Sequence, residues 1–142
     1  MEITITFSSK GVQWTDIALL LKSVGMASYA PELHQKAFES SFAAVFVYDQ
    51  ETLVGCGRVL SDGAYQAAIY DVAISEKYQG AGIGRAIIEA LEGKVKGCNI
   101  VLYAAMGKDA FYRKLGYRRM LTGMAKFTSQ ESMADKGFTD KQ

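Results

Sequence analysis

The sequence predicts an α/β fold, with one mixed, mostly antiparallel sheet and helices on both of its faces. Three observations predict it. Short β-type runs dominate the first half of the 142-residue chain. One of them, Ile69 to Ile74, leads through a polar link into Gln79-Gly80-Ala81-Gly82-Ile83-Gly84-Arg85. Beyond those glycines Ile83, Ala86, Ile87, Ala90 and Leu91 recur with a helical period, so a helix begins inside the loop. The next β-type run, Asn99 to Ala104, is reached through that helix, so it should lie parallel to the strand before the loop.

The elements follow in order. Glu2 to Phe7 alternates Ile3, Ile5 and Phe7 and predicts a strand from the first residues, not a signal peptide. Thr15-Asp16 precedes Ile17, Leu20, Leu21 and Val24, an amphipathic helix closed at Gly25. Pro31 starts a second helix with Leu33, His34, Ala37 and Phe38 on its apolar side. The linker between them, Met26 to Ala30, suits an adjustable wall and is where substrate contacts are expected. Phe42 to Tyr48 and Leu53 to Leu60 form a hairpin around Asp49-Gln50-Glu51, with Gly55 and Gly57 marking a bulge or close packing. Ser61-Asp62-Gly63 turns the chain into Tyr65 to Ile74. After the helix from Ile83 to about Val95 come Asn99 to Ala104 and a short helix, Lys108 to Leu115, stopped by Gly116. Tyr117 to Leu121 and Met124 to Phe127 read as closing strands. The expected organisation is a single domain over residues 1–127, with a polar tail over residues 128–142.

Composition excludes several classes. Sixteen basic and fifteen acidic residues give a formal charge of +1, with no basic field for nucleic acid or an anionic membrane. No run approaches the ~18 apolar residues of a membrane-spanning helix. Cys56 and Cys98 stand alone in apolar runs, which suits free thiols in a reducing compartment. The expected location is cytoplasmic. No metal site is expected.

A strand, a glycine-rich turn and a helix N-terminus together offer converging backbone N–H groups to an anion, usually a phosphate. The details choose the kind of loop. Gly84-Arg85-Ala86 lacks the Lys-Ser/Thr that ends a P-loop. Gly80-x-Gly82-x-Gly84 is not the Gly-x-Gly-x-x-Gly of a dinucleotide fold. If the strands from Ile69 and Asn99 splay at their C-terminal ends, an extended ligand would lie between them with its phosphates on the loop.

Gln79-Gly80-Ala81-Gly82-Ile83-Gly84 and, further on, Phe111-Tyr112-Arg113-Lys114-Leu115-Gly116-Tyr117 together resemble the two signatures of the GNAT superfamily of acyl-coenzyme A-dependent N-acyltransferases. The likeness runs from Ile3 to about Phe127. Gly57 to Gly63 and Tyr70 to Ile74 also look like a subgroup of small bacterial proteins and plastid enzymes that acetylate arylalkylamines such as serotonin. The resemblance implies the acyl-CoA N-acyltransferase fold, with the parallel pair formed by the fourth and fifth strands. It implies direct transfer of an acetyl group from acetyl-CoA to a primary amine.

The residues implied by the resemblance are these. Backbone N–H groups of Gly80, Ala81, Gly82, Ile83, Gly84 and Arg85 would hold the pyrophosphate, with Gln79 bracing the loop. Arg85 would add a charge, unless it is simply a solvated arginine. Val72 and Ile74 would line the strand that carries the acyl and pantetheine portions. Many relatives carry an Asn after the fifth strand; here the segment is Ala104-Ala105-Met106-Gly107-Lys108, leaving Lys108 as the group that would reach a phosphate.

Tyr112 is the expected general acid, since a phenol keeps its proton at neutral pH. Phe111, Leu115 and Tyr117 are expected in the core. Asp71, a carboxylate within an apolar strand, would be the base, bind the ammonium or anchor a loop. Alternation places it on the face opposite Tyr70 and Val72. Candidate substrate contacts are Tyr29, His34 and Tyr70. His34 is the only histidine; a satisfied structural role is the other reading. Trp14, Tyr29, Phe42 and Tyr65 are candidates for lining a pocket for an arylalkylamine. The expected acceptor is a small-molecule amine, with a homodimer left open. The alternatives are a peptide amine, a polyamine, or an acyl-CoA sensor without catalysis.

Overall fold

The computed structural model describes residues 1–142. By packing, the chain divides into two units, Met1–Leu102 and Tyr103–Gln142.

The first unit holds β1 (Ile3–Thr6), α1 (Trp14–Ser23), α2 (Pro31–Glu39), β2 (Ala43–Asp49), β3 (Thr52–Ser61), β4 (Gln66–Ile74), α3 (Ile83–Lys94) and β5 (Asn99–Val101). One five-stranded sheet runs β1-β2-β3-β4-β5, antiparallel except for the parallel β4–β5 pair. Two boundaries have a plain local cause. Pro31 stands at the first helical position of α2, where its missing N–H costs nothing. Gly25, just beyond α1, has φ +79°, a left-handed value that an L side chain disfavours.

The two faces of the sheet carry different helices. Phe46, Cys56 and Ala73 pack with Ile17, Leu20, Leu21 and Phe38, so α1 and α2 cover one face. Gly55 and Gly57 alternate with Cys56 and therefore face the other way, against α3. A Cβ on Gly57 would stand 2.8 Å from Ile87 Cγ2 and 3.2 Å from Leu91 Cδ1. The two glycines let the fully buried side chains of Ile87 and Leu91 press onto the sheet.

β5 is shorter than expected, ending at Val101. It pairs with β4 only at Gln66, Ala67 and Ala68. From Ile69 to Ile74, β4 therefore has a strand neighbour on the β3 side alone, its pairing with β5 ending at Ala68.

The second unit holds α4 (Asp109–Lys114) and α5 (Gln130–Asp135). The closing strands expected at Tyr117–Leu121 and Met124–Phe127 do not form; both segments are irregular. A strand needs a partner edge and a face to bury, whereas Leu121 and Met124 are 88% and 96% exposed. The polar tail, for which no element was expected, contains α5. Its start is held by the Phe127 N–H donating to Gln130 Oε1 at 2.9 Å. Phe127 and Phe138 set their rings edge-on to Tyr103, at 5.6 and 5.5 Å. No helix in the chain is long and apolar enough to cross a membrane.

Candidate active site

The glycine loop is tethered before it turns. Ser75 N–H donates to Val54 O at 2.8 Å as β4 ends. Tyr78 OH donates to Asp49 Oδ2 at 2.6 Å, and Gln79 Nε2 donates back to Ile74 O at 2.9 Å. Gly80 and Gly82 then take φ +82° and +83°, with nothing within 4 Å of the position a Cβ would occupy. Backbone conformation, not crowding within the protein, calls for glycine there. Gly82 caps α3, and the first helical bond runs from the Ala86 N–H to Gly82 O at 3.1 Å. The N–H groups of Ile83, Gly84 and Arg85 precede it and so lack intrahelical acceptors, which leaves them for an anion.

Side chains along the loop are otherwise engaged. Ile83 is 5% exposed and packs inward, so it offers only its N–H. Arg85 lies 3.5 Å from Glu89 on the exposed face of α3.

β4 carries a bulge where the reaction is expected. Cys56 pairs with Ala73 and Arg58 with Tyr70, so Asp71 and Val72 together oppose Gly57. Asp71 takes the extra position, with φ +56°. This corrects the alternation expected between Tyr70 and Asp71, because the inserted residue shares a face with the one before it, while Asp71 and Val72 do lie on opposite faces. Tyr70 and Asp71 both reach Arg58, on the face covered by α2. Arg58 Nε lies 2.7 Å from Asp71 Oδ2, and its guanidinium stands 5.4 Å from the Tyr70 ring centre. Val72 packs toward α3, beside Gly57.

His34 is 3% exposed and accepts the Tyr29 N–H through Nε2 at 2.9 Å. With Nε2 as acceptor, the neutral ring carries its proton on Nδ1. Burial lowers its pKa from the ordinary imidazole value; Asp71 opposes that shift and Arg58 adds to it. His34 thus lies in the field of the Arg58–Asp71 pair while pinning the α1–α2 linker. Tyr29 itself is 57% exposed, its ring 5.6 Å from the imidazole.

The proposed aromatic lining does not converge. Trp14 packs against Phe38 and Phe46, at 5.8 and 5.9 Å. Phe42 lies against Gly63 in the turn between β3 and β4, and Tyr65 is exposed at the same turn. Only Tyr29 stands beside His34. An open hollow of about 610 Å³ is lined by Glu2, Thr4, Asp49, Gln50, Glu51 and Thr52, with no residue of β4 or the loop among them.

In the second unit, Lys108 is exposed and caps α4. Tyr112 sits edge-on to Phe111 at 5.0 Å and to Tyr117 at 5.7 Å, and burial raises its phenol pKa. Phe111, on this six-residue helix, and Leu115 and Tyr117 beyond it are half-buried, not core. Gly116, at φ +94°, ends the helix, and Tyr117 N–H returns to Tyr112 O at 3.0 Å.

The short parallel pair runs into a tethered glycine loop and a helix N-terminus, an arrangement that offers backbone N–H groups to an anionic ligand. The family model described as an acetyltransferase (GNAT) domain matches residues 41–119, more than half of the chain. The chain belongs to the GNAT family and is an N-acetyltransferase that uses acetyl-CoA as acyl donor. It is 30% identical over 137 residues to serotonin N-acetyltransferase 2, chloroplastic, of Oryza sativa, covering 89% of this chain and 68% of that protein. It is 32% identical to the histone acetyltransferase TAP1 of Glycine max, covering 80% of this chain and 55% of that protein. A GNAT-family acetyltransferase from Streptococcus pneumoniae shares the fold, with a TM-score of 0.75 and 24% identity over 89% of this chain and 98% of that one.

Proposed function

We propose that this chain acetylates the primary amine of a small molecule, and that the acceptor is an arylalkylamine. The observation that carries this reading is the bulge, which sets the aromatic ring of Tyr70 and the carboxylate of Asp71 side by side on the face covered by α2. A carboxylate suits an ammonium and an aromatic neighbour suits an aryl group. Tyr29 and His34 lie on the linker and on α2, in the same unit. The Oryza sativa relative, named for serotonin, supports the same substrate class.

In this reading the N–H groups from Gly80 to Arg85 hold the pyrophosphate, with Gln79 bracing the loop and Lys108 reaching a further phosphate. Val72 and Ile74 line the edge of β4 along the acyl and pantetheine portions. A backbone donor at that edge stabilises charge that grows on the thioester oxygen. The ammonium loses one proton to Asp71, directly or through water; the freed nitrogen attacks the carbonyl carbon and gives up its second proton to solvent. The C–S bond then breaks, and the departing thiolate takes the Tyr112 proton. Tyr112's role rests on its motif and on burial that keeps the phenol protonated. Two free cysteines suit a reducing compartment, and the cytoplasm is the proposed location, testable by fractionation.

The test is a thiol-release assay with acetyl-CoA against tryptamine, serotonin, spermidine, an aminoglycoside and a lysine peptide. Release that depends on tryptamine or serotonin is the expected result. Release with the peptide alone would replace the small-molecule acceptor with a protein amine, as the name of the Glycine max relative would suggest.

A further inference from the structure

Arg58 received no role from sequence, yet its side chain links α2 to the β4 bulge. It is 17% exposed. Its Nε bonds Asp71 Oδ2 at 2.7 Å, and its Nη1 donates to Ser41 Oγ at 3.4 Å. Ser41 Oγ in turn donates to Ala37 O on α2 at 2.7 Å. The guanidinium also lies 5.7 Å from the Phe38 ring centre and 5.4 Å from that of Tyr70. A continuous path of contacts therefore runs from α2 through Arg58 to the bulge.

Asp71 needs that path. Its φ of +56° is one that a residue with a Cβ rarely adopts outside glycine, and the neighbouring pairings are interrupted there. Such a conformation persists only when its surroundings over-determine it. The Sγ of Cys56, donating to Asp71 O at 3.3 Å, fastens the backbone, and Arg58 fastens the side chain. The hydrogen bond from Arg58 Nε falls on Oδ2. Lysine would not substitute, because one ammonium lacks the planar fork that bonds two partners while stacking on rings.

We propose that Arg58 is a positioning residue for acetyl transfer. By fixing Asp71 it holds the Asp71–Val72 bulge, and with it the β4 edge, in the geometry that aligns thioester and amine. This rests on the reading that β4 and Asp71 line the reaction site.

The test compares R58A, R58K and D71N in the full chain. A misplacement of the reacting groups predicts that R58A lowers kcat about 100-fold. The KM for acetyl-CoA stays near its wild-type value, since the glycine loop has its own tethers. R58K fails to recover turnover, whereas added guanidinium chloride restores it in part to R58A and not to D71N. Amide exchange at Asp71 and Val72 quickens in R58A, which scores the bulge even on an acceptor that turns over slowly. A folded R58A with wild-type kcat and unchanged exchange would overturn the proposal. So would equal losses in kcat and acetyl-CoA affinity without guanidinium rescue, the mark of a general structural defect. D71N distinguishes the two claims, because Asn still accepts the Nε–H of Arg58 through its amide oxygen. Wild-type turnover in D71N with loss in R58A would end the proton-accepting role of Asp71 and leave the positioning role standing.

Discussion

Tyr78 donates its hydroxyl to Asp49 Oδ2 at 2.6 Å, joining the segment before the glycine loop to the last residue of β2. Losing that bond frees the loop without touching β4. Y78F is expected to raise the KM for acetyl-CoA while leaving the KM for the amine and kcat near wild type; steady-state kinetics with each substrate varied check it. The Tyr78 hydroxyl, followed by the Glu2 N–H, holds the Asp49 carboxyl below its usual value. The contribution is present above the unfolded-state pKa of about 3.9 and is lost as pH falls through the lower folded-state value. Thermal midpoints of D49N should show a weaker acid dependence in that range.

His34 acts in the same direction, through burial of the ring instead of a bonding partner. Burial lowers its pKa, so the unfolded chain takes up the proton first as the medium acidifies. Its contribution to pH dependence is flat above about pH 6.5, and stability falls below that value. H34A leaves the Tyr29 N–H without its partner, a cost of about 1–3 kcal/mol. Thermal melts from pH 8 to pH 5 should show a lower midpoint for H34A and a shallower slope below pH 6.5.

Gly57 tests the packing under the bulge. A methyl group there meets Ile87 Cγ2 at 2.8 Å, on a branched side chain with no soft direction in which to move. Overpacking of this kind costs about 1–3 kcal/mol, so G57A should lose several degrees of Tm in calorimetry.

Tyr112 tests the proton delivered to the leaving group. Y112F is expected to lower kcat by about 10²–10⁴ with little change in KM. Burial raises the phenol pKa, so the basic limb that Tyr112 contributes to the wild-type pH–rate profile lies above the ordinary phenol value of about 10. That limb should vanish in Y112F. Unchanged rates across pH would remove Tyr112 as the acid.

Much of the fold was legible because its signals are local. Pro31, Gly25 and the Gly80–Gly82 spacing each state a backbone requirement in the residue itself. The bulge was not legible. Asp71 is a non-glycine residue at positive φ, and only the register against β3 shows the extra position. Arg58 was missed for a related reason: an arginine between Gly57 and Val59 looks like a solvent-facing strand residue until the bulge brings Asp71 to it. The expected closing strands failed because Tyr117–Leu121 and Met124–Phe127 show β-type composition, while composition alone does not supply an edge to pair with.

Cys56 gives the bulge a further property. A protein that handles a thioester risks thiol exchange, in which the acyl group passes to one of its own sulfurs. That exchange needs a thiolate. Burial pushes the Cys56 thiol far above its ordinary pKa, and its Sγ is turned to the Asp71 carbonyl as a donor. The sulfur that touches the bulge is thus kept as a neutral strut, and self-acylation at that position is shut out by the same packing that shapes the strand.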